Sequence, residues 1–466
     1  MAAKKTGAQP AKKSAKSGPA KQAGSGDNRF LRDIVQVFGG NVAMMIIGVG
    51  TGAITARALG PHDRGLFQLL VLLPVTLGNF AKLGIPQASV YFMRRRGASA
   101  SQVASNAFWA ALVMGTLMAI ACWFGRDWIQ ERLLKDAPRD VLLPILMLIP
   151  AILLQTYFLG IAQAQQRFHE YNIQQVVPNL LALVGMFVVL LVLDLGLIGA
   201  VLTHVAINLF MTVWLALRIH RVAPLRWRVD TTLARDMLGF GGKSYVQTLA
   251  ATQHQKIDQY LIGYLLTPDQ VGLYAIAVNM TNILTRIWEA TGTVLFPRLA
   301  ASDDRTAHAA TARVARHTVF ITVVGALGLL VAGPIVIPLI YGRDFAGAVP
   351  ALLWLLPSLV MMALYQILTR NFTSRGKQEI NIIAAVLALV LNVGCNLWLI
   401  PRYGIVGAAI ANNISYSVAA ILLLVAFVRE SGHGLAEATV LRGNEVRAML
   451  QRIQRLGLQL VGRAGA

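Results

Sequence analysis

Charge is what this sequence has least of: 14% of its 466 residues are Asp, Glu, Lys or Arg, against roughly a quarter in a soluble globular chain. With 56% hydrophobic residues, that deficit excludes a disordered chain and argues against a soluble enzyme. Cysteine is nearly absent. Cys122 and Cys395 both lie in apolar runs without a partner at ligand spacing, which excludes a disulfide framework and a zinc site. Acidic residues are scarce too, 21 against 42 Lys and Arg, for a net charge of +21. Such a balance suits nucleic acid or a membrane surface, and the apolar runs select the membrane. Enzyme motifs are missing: no HExxH, no GxSxG and no paired carboxylates beside a base. Gly48–Gly52 lacks the strand and last glycine of a dinucleotide loop and reads as close helix packing. Gly242-Lys243-Ser244 lacks the first glycine of a P-loop, Met237 standing there instead. No enzyme activity, cofactor, metal or nucleic-acid partner is expected.

What is present is a series of twelve apolar runs, at 34–58, 66–92, 102–124, 141–164, 173–193, 197–217, 238–266, 272–296, 315–337, 347–369, 379–400 and 405–427. Each is long enough to cross ~30 Å of hydrocarbon as a helix, the one open-ended conformation that satisfies its own backbone there. The run at 238–266 is the least apolar. With the N-terminus inside, about 30 Lys and Arg fall on one side and about 8 on the other. Both termini are therefore expected in the cytoplasm. Residues 1–28, rich in Lys, Ala, Gly and Ser, read as a disordered basic tail. Residues 221–236 read as a cytoplasmic linker. The tail at 431–466 carries an amphipathic helix pattern from Val446 to Leu460, with Arg447, Arg452 and Arg455 opposite the apolar face.

The chain repeats itself. Leu59-Gly60-Pro61-His62-Asp63-Arg64-Gly65-Leu66-Phe67 resembles Leu266-Thr267-Pro268-Asp269-Gln270-Val271-Gly272-Leu273-Tyr274, and Gly196–Ala200 resembles Gly404–Ala408. Tyr157 and Arg167 recur as Tyr365 and Arg375. The constant spacing predicts an all-α polytopic membrane protein of two six-helix bundles, 29–220 and 237–430, around a central cavity. Pro74 and Pro357 are expected to kink their helices.

Polar residues inside these runs mark the candidate site, since a charge at mid-bilayer costs roughly 2.5–3.5 kcal/mol on insertion scales. Lys243, Gln247, His254 and Asp258 share one helical stripe, as do Asn279, Asn282, Arg286 and Glu289. Gln68, Asn79, Lys82, Lys256, Asn392, Asn396 and Asn412 add to them. Lys82, Lys243, Lys256 and Arg286 are expected to make the cavity cationic and suited to an anionic cargo, phosphate above all. Gln68, Asn79, Gln247, Asn279, Asn282, Asn392, Asn396 and Asn412 are expected to line it. Pairing of Arg286 with Glu289, and interhelical hydrogen bonding by the asparagines, are the alternative readings. His204, with Asn208 and Thr212, reads as a packing residue.

Ala56-Arg57-Ala58-Leu59-Gly60-Pro61 with Gly65-Leu66-Phe67 resembles the end of helix one in the lipid-linked oligosaccharide flippase family. That family belongs to the multidrug/oligosaccharidyl-lipid/polysaccharide exporter (MOP) superfamily. Asp258–Gly263, Val271–Tyr274, Pro297-Arg298-Leu299 and Tyr403–Ala409 resemble its seventh, eighth and last helices. The resemblance implies a bacterial inner-membrane transporter flipping undecaprenyl-diphosphate-linked repeat units for surface or exopolysaccharide synthesis. It implies contact with inner-membrane lipids, and with a polymerase and glycosyltransferases. His254, Asp258 or Glu289 then stand as candidates for coupling to an ion gradient. A drug or metabolite antiporter of the same superfamily and a non-transporting scaffold are the alternatives.

Overall fold

A computed structural model describes residues 23–300, 303–432, 434–441 and 445; the side chains of residues 23–43, 243, 244, 247, 287, 290, 292–298, 300 and 438 fall outside that description. The lysine-rich stretch to residue 22 and the amphipathic pattern from Val446 lie outside the described residues. Helix α1 (Ala23–Ala81) starts inside the 1–28 tail, so residues 23–28 are helical, a correction to the expected disorder. The chain divides after Ala43, and residues 44–466 form a unit of their own that holds the rest of α1 and every later helix.

All described secondary structure is helical. After α1 come α2 (Ile85–Arg95), α3 (Ala100–Phe124), α4 (Arg126–Arg132), α5 (Leu142–Leu146), α6 (Leu148–Ala164), α7 (Phe168–Phe187) and α8 (Gly196–Val222). A second series holds α9 (Thr231–His254), α10 (Ile257–Leu265), α11 (Pro268–Ala300), α12 (Asp304–Tyr341), α13 (Ala348–Ser374), α14 (Gln378–Ser431) and α15 (Leu435–Thr439). Among the described residues, eight helical segments are long and apolar enough to cross a membrane. The runs at 238–266 and 272–296 fall on α9, α10 and α11, which are not among the eight. The first of these runs breaks at Gln255–Lys256, where α9 ends and α10 begins.

The chain turns where glycine permits it. Gly60 breaks α1 at φ 69° and Gly404 breaks α14 at φ 60°, a region disfavoured for residues with a Cβ. Gly196, the counterpart of Gly404 in the repeat, has φ 54°. Helical φ/ψ continues through Pro74 and Pro357, so the breaks themselves fall on glycines.

The outside of the molecule is greasy. Leu117, Phe124, Val184, Leu191, Val331, Ile335 and Leu339 are all exposed, as lipid allows and water does not. Inside, Tyr157, Phe158, Tyr274, Phe372 and Phe427 are fully buried. Polar side chains in the apolar helices are tied to neighbours. Gln155 Nε2 donates to Asn208 O at 2.8 Å and Thr212 Oγ1 at 2.6 Å, and Asn208 Nδ2 lies 3.2 Å from His204 Nε2. The Gln155 bonds join α6 to α8, whereas the Asn208–His204 contact lies within α8 and the His204 ring packs edge-on against Phe67, 6.2 Å between centroids. Gly50 and Gly52 sit against Leu183 and Tyr341 side chains, where a Cβ would come within 3.3 and 3.4 Å. Gly50 alone is tighter than ordinary contact, and a Cβ on Gly48 would meet nothing within 4 Å, a correction to the close packing read from the whole glycine run.

The linker between the two series is held down. Asn106 Oδ1 accepts from Asp230 N, and Asn106 Nδ2 donates to Asp230 O, both at 2.9 Å. Ser105 Oγ accepts from Arg226 N at 2.7 Å. Asp230 in turn caps α9 by accepting from Leu233 N at 3.0 Å. Asn106→Ala removes both bonds to Asp230, and it is expected to cost roughly 1–3 kcal/mol and to speed limited proteolysis between residues 223 and 230. Unchanged cleavage there would reject the clamp.

Candidate functional site

Two cavities share one wall. The first, about 420 Å³, lies between the second limb of α1, the α9–α10 break, α11, α13 and α14. Gln68, Lys256, Asp258, Asn279, Asn282, Glu289 and Asn412 line it, all expected from the sequence. The second, about 390 Å³, lies between the first limb of α1, α7, α11 and Tyr341, and Arg286 lines it. Asn279 and Asn282 line both, so α11 divides the two chambers.

Charge is unevenly shared. The first chamber holds Lys256 and Arg370 against Asp258 and Glu289. The second holds Arg64 and Arg286, and no carboxylate is among its described lining residues. Arg286 Nη1 does pair with Glu289 Oε2 at 2.9 Å, both groups being about half exposed. Arg64 differs. It is 6% exposed, donates from Nη1 to Gln68 Oε1 at 3.2 Å, and lies 5.7 Å from the Phe67 ring centroid. Its Nε has no hydrogen-bond partner among the described residues. Gln68 Nε2 donates onward to Gln259 Oε1 at 2.9 Å, so a polar chain runs from Arg64 across to α10.

Asp258, in the first turn of α10, is 2% exposed. Tyr274 Oη donates to Oδ2 at 2.9 Å and Asn396 Nδ2 donates to Oδ1 at 2.7 Å, while Asn412 Nδ2 donates to both Oδ2 and Tyr274 Oη. Among the described residues no cation pairs with it. The α10 N-terminus and these neutral donors are what hold the carboxylate.

Several expected residues lie elsewhere. Asn392 and Asn396 are fully buried behind the first chamber and line neither cavity; Asn396 Nδ2 reaches Asn392 Oδ1 at 3.0 Å as well as Asp258. The physical reason is that α10 packs on α14 and places Asp258 between them and the open space. His254 is buried, with Nε2 at 2.9 Å from Ser415 Oγ and its ring 4.2 Å from that of Tyr416. Asn79 is not in either lining; its backbone carbonyl accepts from Tyr245 Oη. Lys82, half-buried after α1, is in neither lining, a correction to its expected place in the cationic cavity. The side chains of Lys243 and Gln247 fall outside the description. Sequence reasoning missed Arg64 and Arg370, counted as loop charges on opposite sides, and Gln259 and Tyr274. The signal for Arg64 was its place in the repeated motif, where the second copy has Val271.

An apolar exterior enclosing a polar, cation-bearing cavity between two helical bundles defines a multi-pass membrane protein built like a transporter. Residues 54–350 match the family described as polysaccharide biosynthesis protein, and the chain belongs to that family. A curated relative, the probable low-salt glycan biosynthesis flippase Agl15 of Haloferax volcanii, is 24% identical over 216 residues, 46% of each chain. The match thus spans about half the length of that relative. Among solved structures, the lipid II flippase MurJ in an inward closed conformation superposes with a TM-score of 0.73 at 14% identity, covering 84% of this chain and 89% of that one. A multidrug resistance MATE family transporter of the MOP superfamily, inward-facing, gives 0.69 at 16% identity over 84% and 94%. The fold is the one these two solved structures share.

Proposed function

We propose that this protein flips a glycan carried on undecaprenyl diphosphate from the cytoplasmic to the outer leaflet of a bacterial inner membrane, for cell-surface or exopolysaccharide synthesis. The carrying observation is the adjacency of a chamber lined by two arginines and no described acid to a chamber in which amides and hydroxyls accompany Lys256 and Arg370 balanced by Asp258 and Glu289. Arg64 and Arg286 hold the diphosphate, for which a guanidinium fork is well matched. Gln68, Asn279, Asn282, Asn412 and Gln259 bond the sugar hydroxyls. Lys82, Lys243 and Lys256 draw the headgroup in, while the prenyl tail stays in lipid. Both termini face the cytoplasm, and residues 29–220 and 237–430 rock about the cavity to expose it on one side at a time. Asp258 is the group that couples the cycle to an ion gradient, being a buried carboxylate held by neutral donors. A cationic drug cargo is disfavoured by the arginine chamber.

Depletion in cells tests the reading. The complete lipid-linked repeat unit is expected to accumulate on the cytoplasmic leaflet while surface glycan falls. Surface glycan at its normal level, with no such intermediate accumulating, would reject it.

A further inference from the structure

The repeated motif meets its own copy. A Cβ built on Gly65 would stand 1.8 Å from Pro268 O, and one on Gly272 would stand 2.2 Å from Pro61 O. Pro61 and Gly65 correspond to Pro268 and Gly272 in the repeat, so exchanging the bundles maps this contact onto itself, as at a two-fold axis. His62 and Asp269 also correspond, 207 residues apart, and they touch, Nδ1 to Oδ2 at 3.2 Å. Here the two backbones come so close that neither glycine leaves room for a side chain.

Two basic residues flank this crossing. Arg57 donates from Nε to Ile340 O at 2.9 Å and from Nη2 to Leu339 O at 2.5 Å, in the last turn of α12. Lys135 Nζ donates to Leu266 O at 2.7 Å and Tyr264 O at 3.1 Å, at the end of α10. Both cations come from the first bundle, and both sets of acceptors are terminal carbonyls of second-bundle helices. Such carbonyls lack an intrahelical donor and sit at the negative end of the helix dipole. On separation, water would hydrate cation and carbonyl alike, so the bonds bias the closed arrangement without freezing it.

We infer that this end of the molecule is a reversible seal in which Gly65 and Gly272 permit contact of the two bundles, and Arg57 and Lys135 are latches that set how often it opens. The inference rests on the proposed orientation, with both termini in the cytoplasm, which makes this the outer seal. It adds residues remote from either chamber to those that govern transport.

The test uses the full chain in spheroplasts and in liposomes, without substrate, with Cys122→Ala and Cys395→Ala. Ser358→Cys, in the lining of the first chamber, reports access by a membrane-impermeant maleimide. Arg57→Gln with Lys135→Gln is expected to raise labelling from the outer side roughly three- to tenfold. The same pair is expected to slow oxidative cross-linking between His62→Cys and Asp269→Cys. Gly272→Val is expected to raise labelling further; should it fail to fold, the latch variants alone decide. Unchanged labelling and cross-linking in the latch variants would overturn the seal. Labelling that rises only from the inner side would overturn the orientation and leave the latches standing. Neither readout involves a glycan, so failure of the cargo reading is seen separately.

Discussion

Replacing Arg64 by methionine is expected to lower glycan export by roughly tenfold to a hundredfold while leaving thermal stability unchanged or higher. The guanidinium is buried, with one bond to Gln68, one ring beside it and an Nε unpartnered among the described residues. Keeping such a charge out of water costs several kcal/mol, and an apolar residue of similar volume often packs at least as well. The fold therefore gains little from Arg64, whereas an entering diphosphate gains a great deal. Arg64→Lys is expected to retain part of the export, since it keeps the charge and loses the fork. Export in cells together with thermal unfolding in detergent separates these effects. Normal export by the methionine variant would show that the second chamber does not receive the anion.

Asn412→Leu is expected to destabilise the protein by about 2–4 kcal/mol. It strips the donor from Asp258 and Tyr274 at a buried site where no described cation compensates. Asp258→Asn removes the charge that needs those donors, so the double variant is expected to lose clearly less stability than the two single losses summed. Asp258→Asn by itself is expected to stay folded and to abolish any response of transport to an imposed ion gradient. Additive losses in thermal unfolding would place the charge of Asp258 outside the network. A preserved gradient response would remove it from coupling.

The surroundings of Asp258 come from one feature of the fold: α10 is short, begins at the break after His254, and brings its first turn against α14. Nothing in the spacing of Asn392, Asn396 and Asn412 distinguishes a residue that faces the chamber from one that faces Asp258. All three sit on apolar helices at intervals that suit a stripe, and only the approach of α10 sorts them. Arg370 shows the same limit. A tally of loop charges reads it as lying beyond its helix, yet α13 runs on to Ser374 and turns the guanidinium into the first chamber. Lys135 and Arg57 bond carbonyls 131 and 283 residues away, and no local pattern announces such partners. By contrast, the apolar runs, the Gly196 and Gly404 turns and the pairing of Arg286 with Glu289 were all legible, since each depends on residues within a few positions.

By itself the sequence determined an all-helical membrane protein, a motif that recurs at constant spacing and the presence of polar groups in need of shelter. The tertiary structure alone decided which of those groups meet open space, which meet one another, and that the duplicated motif closes on its own copy. The reason is physical: hydropathy and helical period set what a segment is and which way each stripe points, but what stands opposite a stripe belongs to another part of the chain and is settled only when the helices pack.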